Sequence, residues 1–334
     1  PRWRDAIQRD WRVLKFASRE YRGDMRLVRQ AVKQDGQSLE FALSEARCDR
    51  ALVLQAVRDA GCSLQFASTE LQDDRALVLE AVAQDGLALQ FASWELRGDM
   101  EVAMKAIRQN GMALSFASLR LRANKQVILA AVQENGLALG VAAPEFRQDR
   151  DIVRAAMKNN FLALRFADRS LLRDPELIME AVEVSGHAMQ FASMQLRADK
   201  DFVRKAVARS VWALGFAAPD LRRDRVFMLE LMGTNNMAFE FADPELRGDS
   251  AFILEATQLD ASPQRVHYLK SMTTSPTVRS RIERRSRVAL RSRTEGLQQS
   301  AAALHGERPR TGLAQTGGWL ASTGGRPAMA TTVR

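Results

Sequence analysis

The residues with the clearest chemical potential are charged, and they recur at one fixed interval. Acidic residues, with one asparagine among them, stand 25 positions apart. The series consists of Asp24, Asp49, Asp74, Asp99, Asn124, Asp149, Asp174, Asp199, Asp224 and Asp249. A carboxylate can act as a general acid, but an enzyme needs such a group in one site rather than in every copy of a repeat. The series is therefore better explained as helix N-caps, whose side chains accept a bond from a backbone N–H.

Arginines form a second series, two residues before most of these caps. Its members are Arg22, Arg47, Arg97, Arg122, Arg147, Arg197, Arg222 and Arg247. Stacked one repeat apart, their guanidinium groups could follow the phosphates of a nucleic acid. Several copies also carry a glutamate two residues before the arginine, as Glu20 and Glu45 do. We therefore expect each guanidinium to bond a nearby carboxylate or a carbonyl at a helix end.

Residues for other kinds of catalysis are scarce. The histidines, His187, His267 and His305, are scattered, whereas a hydrolytic triad or a zinc site needs a cluster. His187 stands where other copies carry Leu, Met or Trp, which predicts a packing residue. Cys48 and Cys62 occupy unrelated places in the repeat, which argues against a disulfide framework. The sequence thus predicts no enzyme, and no catalytic, cofactor-binding or metal-binding residue.

The repeat that begins at Asp74 shows which elements hold these series in place. An Asp cap predicts that a helix starts directly after it. Leu77, Val78 and the alanine and valine one turn later form a single apolar face of that helix. Gly86 is placed to end the helix in a left-handed conformation. Each repeat should therefore open with a helix of about three turns.

A second, shorter helix is expected after the glycine. Ala88, Leu89 and Phe91 make it almost wholly apolar, which predicts an inner layer buried against neighbouring repeats. Ser93 is then placed to cap one further turn, Trp94 to Gly98. Helices this short do not persist alone in water, so the repeats must stack on one another.

This pattern predicts an all-α fold. We expect a right-handed or superhelical α-solenoid of about ten 25-residue two-helix repeats, followed by a disordered C-terminal tail. The array is placed at residues 1–262, with an incomplete first copy, and the tail at residues 263–334. The tail is rich in Ser, Gly and Arg, and its run from Arg279 to Arg293 holds seven Arg and one Glu. Such a composition is typical of a segment without a packed core.

The net charge of +9 is unevenly distributed along the chain. From Ala261 onward there are 13 Lys+Arg against 3 Asp+Glu, which leaves 36 against 37 in the earlier part. The array is thus close to neutral, and the tail carries the basic charge. A basic tail of this kind could bind an acidic partner, RNA or a nuclear import receptor.

The sequence also bears on location and assembly. No apolar run approaches the roughly 18 residues that span a bilayer, and Pro1 to Asp10 lacks the apolar centre of a signal peptide. With only two cysteines, a reducing compartment is the default expectation. We expect a monomer in the cytoplasm with no membrane partner, and nuclear localisation through the Arg-rich tail is the alternative.

The whole repeat resembles a known family. The string of Asp cap, Val and Ala stripe, Gly, Leu-x-Phe-Ala-Ser and Leu-Arg is similar to the repeats called domain of unknown function 4116, from about Asp10 to Asp260. The resemblance implies a helical array and brings no catalytic residues with it. Phe161, Val211 and Asn236 replace the usual glycine and depart from the pattern.

Solenoids usually recognise partners through surface positions that vary while the scaffold repeats. Such positions lie on the outer face of the first helix, and Trp94 adds a large aromatic side chain. The candidate partner-binding residues are Trp94, Glu80, Lys105, Arg108, Lys158, Glu180 and Lys205. We interpret the protein as a non-enzymatic scaffold that binds an unknown protein or peptide. The alternative is a nucleic-acid-binding array that uses the arginine series and the basic tail.

Overall fold

The computed structural model describes residues 2–259, 263–273, 276–277, 279–284, 287–288 and 291. These residues are helical or lie in short connections, and no β-strand occurs among them. The longer helices are α1 (Arg2–Arg9), α2 (Met25–Gln34), α3 (Arg50–Asp59), α4 (Arg75–Gln84), α5 (Met100–Gln109), α6 (Lys125–Glu134), α7 (Arg150–Asn159), α8 (Pro175–Val184), α9 (Lys200–Arg209), α10 (Arg225–Thr234), α11 (Ser250–Leu259) and α12 (Pro263–Met272). Helices α2 to α11 start at intervals of 25 residues, so the predicted period is confirmed.

Helix α4 shows why these segments are helical. The Asp74 carboxylate accepts bonds from the backbone N–H groups of Ala76 and Leu77, both at 3.0 Å, so it satisfies two donors that have no partner inside the helix. Leu77 and Val78 are fully buried, as are the alanine and valine one turn later. The helix is therefore stabilised by its cap and by one apolar face packed in the core.

The second element of each repeat is a six-residue 3₁₀ helix. These helices are Trp11–Phe16, Gly36–Phe41, Gly61–Phe66, Gly86–Phe91, Gly111–Phe116, Gly136–Val141, Phe161–Phe166, Gly186–Phe191, Val211–Phe216 and Asn236–Phe241. Three residues per turn place Gly86, Leu89 and Ala92 on one line, and all three are buried. Phe91 lies on the neighbouring line and is only half-buried. The inner layer is thus confirmed for Leu89, while full burial of Phe91 was a wrong prediction.

The glycines that open most of the 3₁₀ helices do not end the preceding helix in a left-handed conformation. Gly61 is itself the first residue of a 3₁₀ helix, and the residue before it, Ala60, ends α3 with an extended backbone, at φ −139° and ψ 103°. A Cβ atom on Gly61 would lie 2.5 Å from the carbonyl oxygen of Ala81 in the next repeat. The glycine is required because two repeats approach each other closely here.

A single helical turn closes each repeat. These turns are Arg19–Gly23, Ser44–Arg47, Thr69–Gln72, Leu96–Gly98, Leu119–Arg122, Pro144–Arg147, Leu171–Arg173, Met194–Ala198, Pro219–Arg223 and Pro244–Gly248. The Ser93 hydroxyl accepts a bond from the Leu96 N–H at 3.3 Å. Proline occupies the first position of three turns. A backbone N–H at this position has no acceptor inside the helix, so proline loses no hydrogen bond there.

The repeats are stacked in chain order. The larger contacts between elements join parts of one repeat or of consecutive repeats, as between α4 and α5. The junctions from that of α1 and α2 to that of α9 and α10 each carry a backbone hydrogen bond, for example from the Ser93 N–H to the Gln72 carbonyl at 3.0 Å. Because every repeat buries its apolar face against its neighbours, the described array is an α-solenoid.

The segment after residue 262, predicted to be disordered, contains a helix. Helix α12 buries Val266 and Leu269 against the end of the array. Residues 279–284, within the Arg-rich run, are also helical, and Ile282 is fully buried there. Three apolar residues spaced through a charged segment thus let it pack, which composition alone does not reveal. Apart from residues 273, 276–277, 287–288 and 291, the rest of the predicted tail lies outside the described residues. No helix in the described part of the chain is long and apolar enough to cross a membrane.

Candidate interaction surface

The predicted cap residues all lie at the start of a long helix. In each of the ten, a side-chain oxygen accepts a bond from the backbone N–H two or three residues later. Eight of the nine carboxylates are also ion-paired. Asp74 Oδ2 lies 2.6 Å from Arg50 Nε of the preceding repeat, and Asp149 Oδ2 lies 2.5 Å from Lys125 Nζ. These acids are therefore engaged at the junctions between repeats.

This pairing changes how the carboxyl groups titrate. The hydrogen bond from Arg50 is the main cause that lowers the pKa of Asp74. In the same way, the hydrogen bond from Lys125 lowers the pKa of Asp149. A lowered pKa keeps these groups charged and accepting over the whole neutral range, which suits a cap and does not suit a general acid.

The arginine series bonds the carbonyl groups at the ends of the 3₁₀ helices. Arg147 Nη2 donates to the carbonyl oxygens of Gly140 at 2.8 Å and Ala142 at 3.3 Å, and Arg47 Nη2 donates to the Glu40 carbonyl oxygen. Bonds of the same kind run from Arg22 to Phe41 and from Arg247 to Ala242. Local bonding of the guanidinium groups is thus confirmed for these four arginines, and it reduces what they can offer to phosphates.

A third row of polar side chains, which we call the amide clamps, was not predicted. Gln84, the last residue of α4, accepts from the Gly61 N–H at 2.6 Å and donates to the Asp59 carbonyl at 3.2 Å, both in the preceding repeat. Gln109 does the same one repeat later, with Gly86 and Gln84. A glutamine or asparagine at this helix end, 23 residues after a glycine, is the sequence signal. It resembles an ordinary solvated residue and is therefore easily missed.

The candidate partner-binding residues do not form one site. Lys105, Arg108, Lys158 and Lys205 are exposed on the outer face of α5, α7 and α9. The two acidic candidates are paired: Glu180 is half-buried and bonds Arg154 at 2.8 and 3.2 Å, and Glu80 lies 3.5 Å from Arg58. Trp94 is 74% exposed, but it belongs to the turn that closes its repeat rather than to a long helix. The structure thus leaves them spread along the array.

A continuous apolar surface lies instead on the 3₁₀ helices. We call it the apolar ribbon and define it by two positions of each repeat from the fourth copy onward. The first position holds Leu87, Met112, Leu137, Leu162, His187, Trp212 and Met237, and the second holds Phe91, Phe116, Val141, Phe166, Phe191, Phe216 and Phe241. The second-position residues are all half-buried, and at the first position Leu162 is 36%, Trp212 47% and Met237 37% exposed.

Ring contacts make the C-terminal end of the ribbon continuous. The His187 ring stacks on Trp212 with centroids 5.8 Å apart, and it meets Phe216 edge-on at 5.8 Å. Trp212 in turn meets Phe241 edge-on at 5.8 Å, and Phe161 lies 6.5 Å from His187 at the other side. His187 is thus a packing residue, as predicted, but at an exposed ring cluster rather than inside the core. Aromatic pairs at such distances attract one another, so the surface is partly preformed.

Chemistry of other kinds has little support in this part of the molecule. Cys48 and Cys62 are free thiols. Within the ranges that the structure describes, no group of three or more His, Cys, Asp or Glu side chains could hold a metal ion. The ribbon itself is an apolar and aromatic surface.

Comparison with known proteins places the repeat in a family. A family model described as a domain of unknown function, DUF4116, matches residues 4–45, 49–97, 99–147, 124–172 and 174–222. Two of these matches, 99–147 and 124–172, overlap with an offset of 25 residues, so the family's unit spans two of the repeats seen here. No curated protein and no solved structure matches the chain significantly. Because the family matches cover more than half of its residues, the chain belongs to the DUF4116 family.

Proposed function

We propose that the protein is a non-enzymatic scaffold that binds an extended peptide segment of a partner protein along the apolar ribbon. The observation that supports this most is the run of mainly apolar and aromatic side chains at equivalent positions in seven consecutive repeats, half-buried from Leu87 to Leu137 and exposed from Leu162 to Met237. Monomeric proteins rarely expose long contiguous apolar surfaces without using them to bind. Trp side chains are also enriched among the residues that dominate binding energy.

The face formed by the long helices is less suited to recognition. The long helices carry ion pairs between successive repeats, such as Arg150 with Asp174 at 2.9 Å and Arg204 with Glu230 at 2.6 Å. Exposed pairs of this kind contribute little to stability individually, but they leave fewer free charges for a partner. We therefore assign recognition to the ribbon and treat the lysines of the long helices, including Lys105 and Lys205, as a solvated surface.

The decisive experiment compares variants of the two faces. A peptide selected from a displayed random library against the full chain is measured by fluorescence anisotropy with the parent, Trp212→Ser and Lys205→Ala. We expect Trp212→Ser to weaken binding at least about tenfold, a loss of about 1.4 kcal/mol, and Lys205→Ala to leave it unchanged. Weaker binding only in Lys205→Ala would assign recognition to the long helices instead.

The nucleic-acid alternative has its own signature. Binding through arginines to phosphates weakens steeply as salt increases. Anisotropy of labelled single- and double-stranded oligonucleotides, measured at low and at physiological salt, tests it. Tight and salt-sensitive binding that Trp212→Ser does not alter would favour this alternative over the peptide scaffold.

The proposal also covers location and assembly. We place the scaffold in a reducing compartment, the cytoplasm, as a monomer, and the free thiols of Cys48 and Cys62 are consistent with this. Light scattering of the purified chain and imaging of a tagged chain in cells test these two points. A stable dimer would require that the ribbon be reconsidered as a surface between copies.

A further inference from the structure

The aromatic end of the ribbon is the most exposed part of that surface. It consists of His187, Trp212 and Met237, which occupy equivalent positions in three consecutive repeats. Trp212 is 47% and Met237 37% exposed, and His187 is also exposed. Side chains of this size leave a wide apolar surface in contact with water, which favours an occupant with an apolar group of its own.

The chain leaves the array beside this surface. After the last repeat, α12 returns to the 3₁₀ side of the array, where the Tyr268 hydroxyl donates to Glu240 Oε1 at 2.8 Å. Glu240 directly precedes Phe241, whose ring meets Trp212. The residues that follow α12 in sequence therefore start close to the aromatic end.

The sequence after residue 291 contains one group suited to such a surface. Between residues 292 and 334 the only aromatic residue is Trp319, and Leu320 follows it. Glycines and small residues flank the pair in TGGWLASTGG, so no large neighbouring side chain hinders its approach to a surface. The 28 residues from Arg291 to Trp319 can span at most about 90 to 100 Å, whereas successive repeats of packed helices are about 8 to 10 Å apart. A tether of this length can span several repeats.

Charge favours the same pairing. Residues 292–334 carry five arginines against two glutamates, whereas residues 35–260 carry 26 Lys+Arg against 33 Asp+Glu. The array as a whole is close to neutral, but this part of it is negative because the surplus of basic residues lies in residues 1–34. A cationic segment is thus attracted to residues 35–260. Because the two are covalently joined, even weak binding is strengthened by a high effective concentration.

We propose that Trp319 and Leu320 bind in cis to the aromatic end of the ribbon, against His187, Trp212 and Met237. The indole packs on the exposed rings, and the segment covers the surface that a partner peptide would use. Occupancy by the chain's own residues then regulates access to the array. The cis contact is inferred from the exposed aromatic end and from the sequence of the segment. Only its regulatory consequence rests on the proposed function.

Photo-crosslinking in the full chain tests the contact. A benzoylphenylalanine in place of Ser322, three residues after Trp319, is irradiated in dilute protein, and the crosslinked peptides are identified by mass spectrometry. We expect crosslinks within one chain to the peptides that contain Trp212 and Met237. Trp319→Ser in the same chain should abolish most of them.

Control variants distinguish this contact from nonspecific hydrophobic binding. Trp94→Ser removes an exposed tryptophan away from the ribbon and should leave the crosslinks intact. Trp212→Ser and Met237→Ser, shown by circular dichroism to be folded, should each reduce them. Crosslinks spread along the whole array, or found mainly between two chains, would overturn the proposal.

Peptide binding separates failure of this inference from failure of the proposed function. Tighter binding of a ribbon-specific peptide to Trp319→Ser than to the parent supports both. Binding that is equal in the two chains overturns the cis contact and leaves the scaffold proposal standing. Crosslinks at the aromatic end without any peptide binding to either chain overturn the scaffold proposal alone.

Discussion

At the scale of single residues, Gly61 shows how one position sets the distance between two repeats. Its N–H donates to Gln84 of the next repeat at 2.6 Å, and a Cβ there would lie 2.5 Å from the Ala81 carbonyl oxygen. The backbone groups can bond this way only if no side chain separates them. The residue is thus selected by close approach and not by an unusual backbone angle.

A substitution tests this account of Gly61. We expect Gly61→Ala to cost about 1 to 3 kcal/mol, because the added methyl group must push two repeats apart. Gly233 is the matched control: it lies inside α10, and a Cβ there would meet nothing within 4 Å. Gly233→Ala should stabilise the chain by about 0.5 to 1 kcal/mol, since alanine is the better helix former. Urea unfolding measures both, and equal effects would contradict the argument.

How deeply a residue of the 3₁₀ helix is buried decides how much its truncation costs. Leu89 is fully buried, whereas Phe91 is half-buried. We expect Leu89→Ala to cost about 2 to 5 kcal/mol and Phe91→Ala less, although it removes more atoms. Thermal and urea unfolding of the two variants rank them. A larger loss for Phe91→Ala would place the aromatic ring in the core after all.

Among the elements, the long helices were predictable and the 3₁₀ helices were not. The Asp caps and the stripe that includes Leu77 and Val78 are local signals, and they located the first helix of each repeat. Whether Gly86–Phe91 forms an α-helix or a 3₁₀ helix depends on the neighbouring repeat, because that repeat contacts the buried residues Gly86, Leu89 and Ala92. Single-sequence periodicity cannot contain that information, and so the half-exposure of Phe91 and the ribbon built on it were missed.

The candidate site was less predictable than the fold for a related reason. Varied charges such as Lys105 and Glu180 marked the outer face of the long helices, but Glu180 is held by Arg154 across a junction between repeats. His187 and Trp212 looked like substitutions of ordinary packing residues. Only the three-dimensional arrangement shows that their rings meet at the surface.

The capped ends of the long helices predict a dependence on acid. The folded-state pKa of Asp74 and of Asp149 is lowered by the hydrogen bonds of Arg50 and Lys125. Groups of this kind stabilise the fold above their unfolded pKa of about 3.9, and this stabilisation is lost as the pH falls through the folded value. We therefore expect the thermal unfolding midpoint to stay constant near neutral pH and to decrease when the pH is lowered below about 4.

A conservative double variant tests whether Asp74 and Asp149 cause this acid dependence. Asparagine also caps helices, as Asn124 does here, but it does not titrate. The double variant Asp74→Asn and Asp149→Asn should therefore unfold with a shallower acid dependence than the parent, measured by thermal melts at pH 3 to 7. An unchanged slope would show that other carboxyl groups control the acid response.

At the scale of the whole molecule, the junctions between repeats are not equivalent. Amide clamps join several of the earlier repeats, through Gln84, Gln109 and Asn159, whereas Glu134 at the equivalent position of α6 is not an amide. The corresponding positions later in the chain hold Val184, Arg209 and Thr234. Within α8, Leu177 packs with buried residues of the earlier repeats and Ile178 with those of the later repeats. The stability of a repeat array is a sum of local terms, so such differences allow parts of it to open separately.

We therefore expect the array to unfold in stages, with the earliest breaks between α7 and α10, where three successive junctions have no amide clamp. Each missing backbone bond lowers the local stability by about 0.5 to 1.5 kcal/mol, enough to separate the opening of neighbouring units. Hydrogen exchange followed by mass spectrometry at increasing urea measures this order. Gln84→Val, which copies the state of Val184, should add a new early break at the junction of α3 and α4. Simultaneous exchange of amides along the entire array, in the parent and in this variant, would show that the clamps do not control its cooperativity.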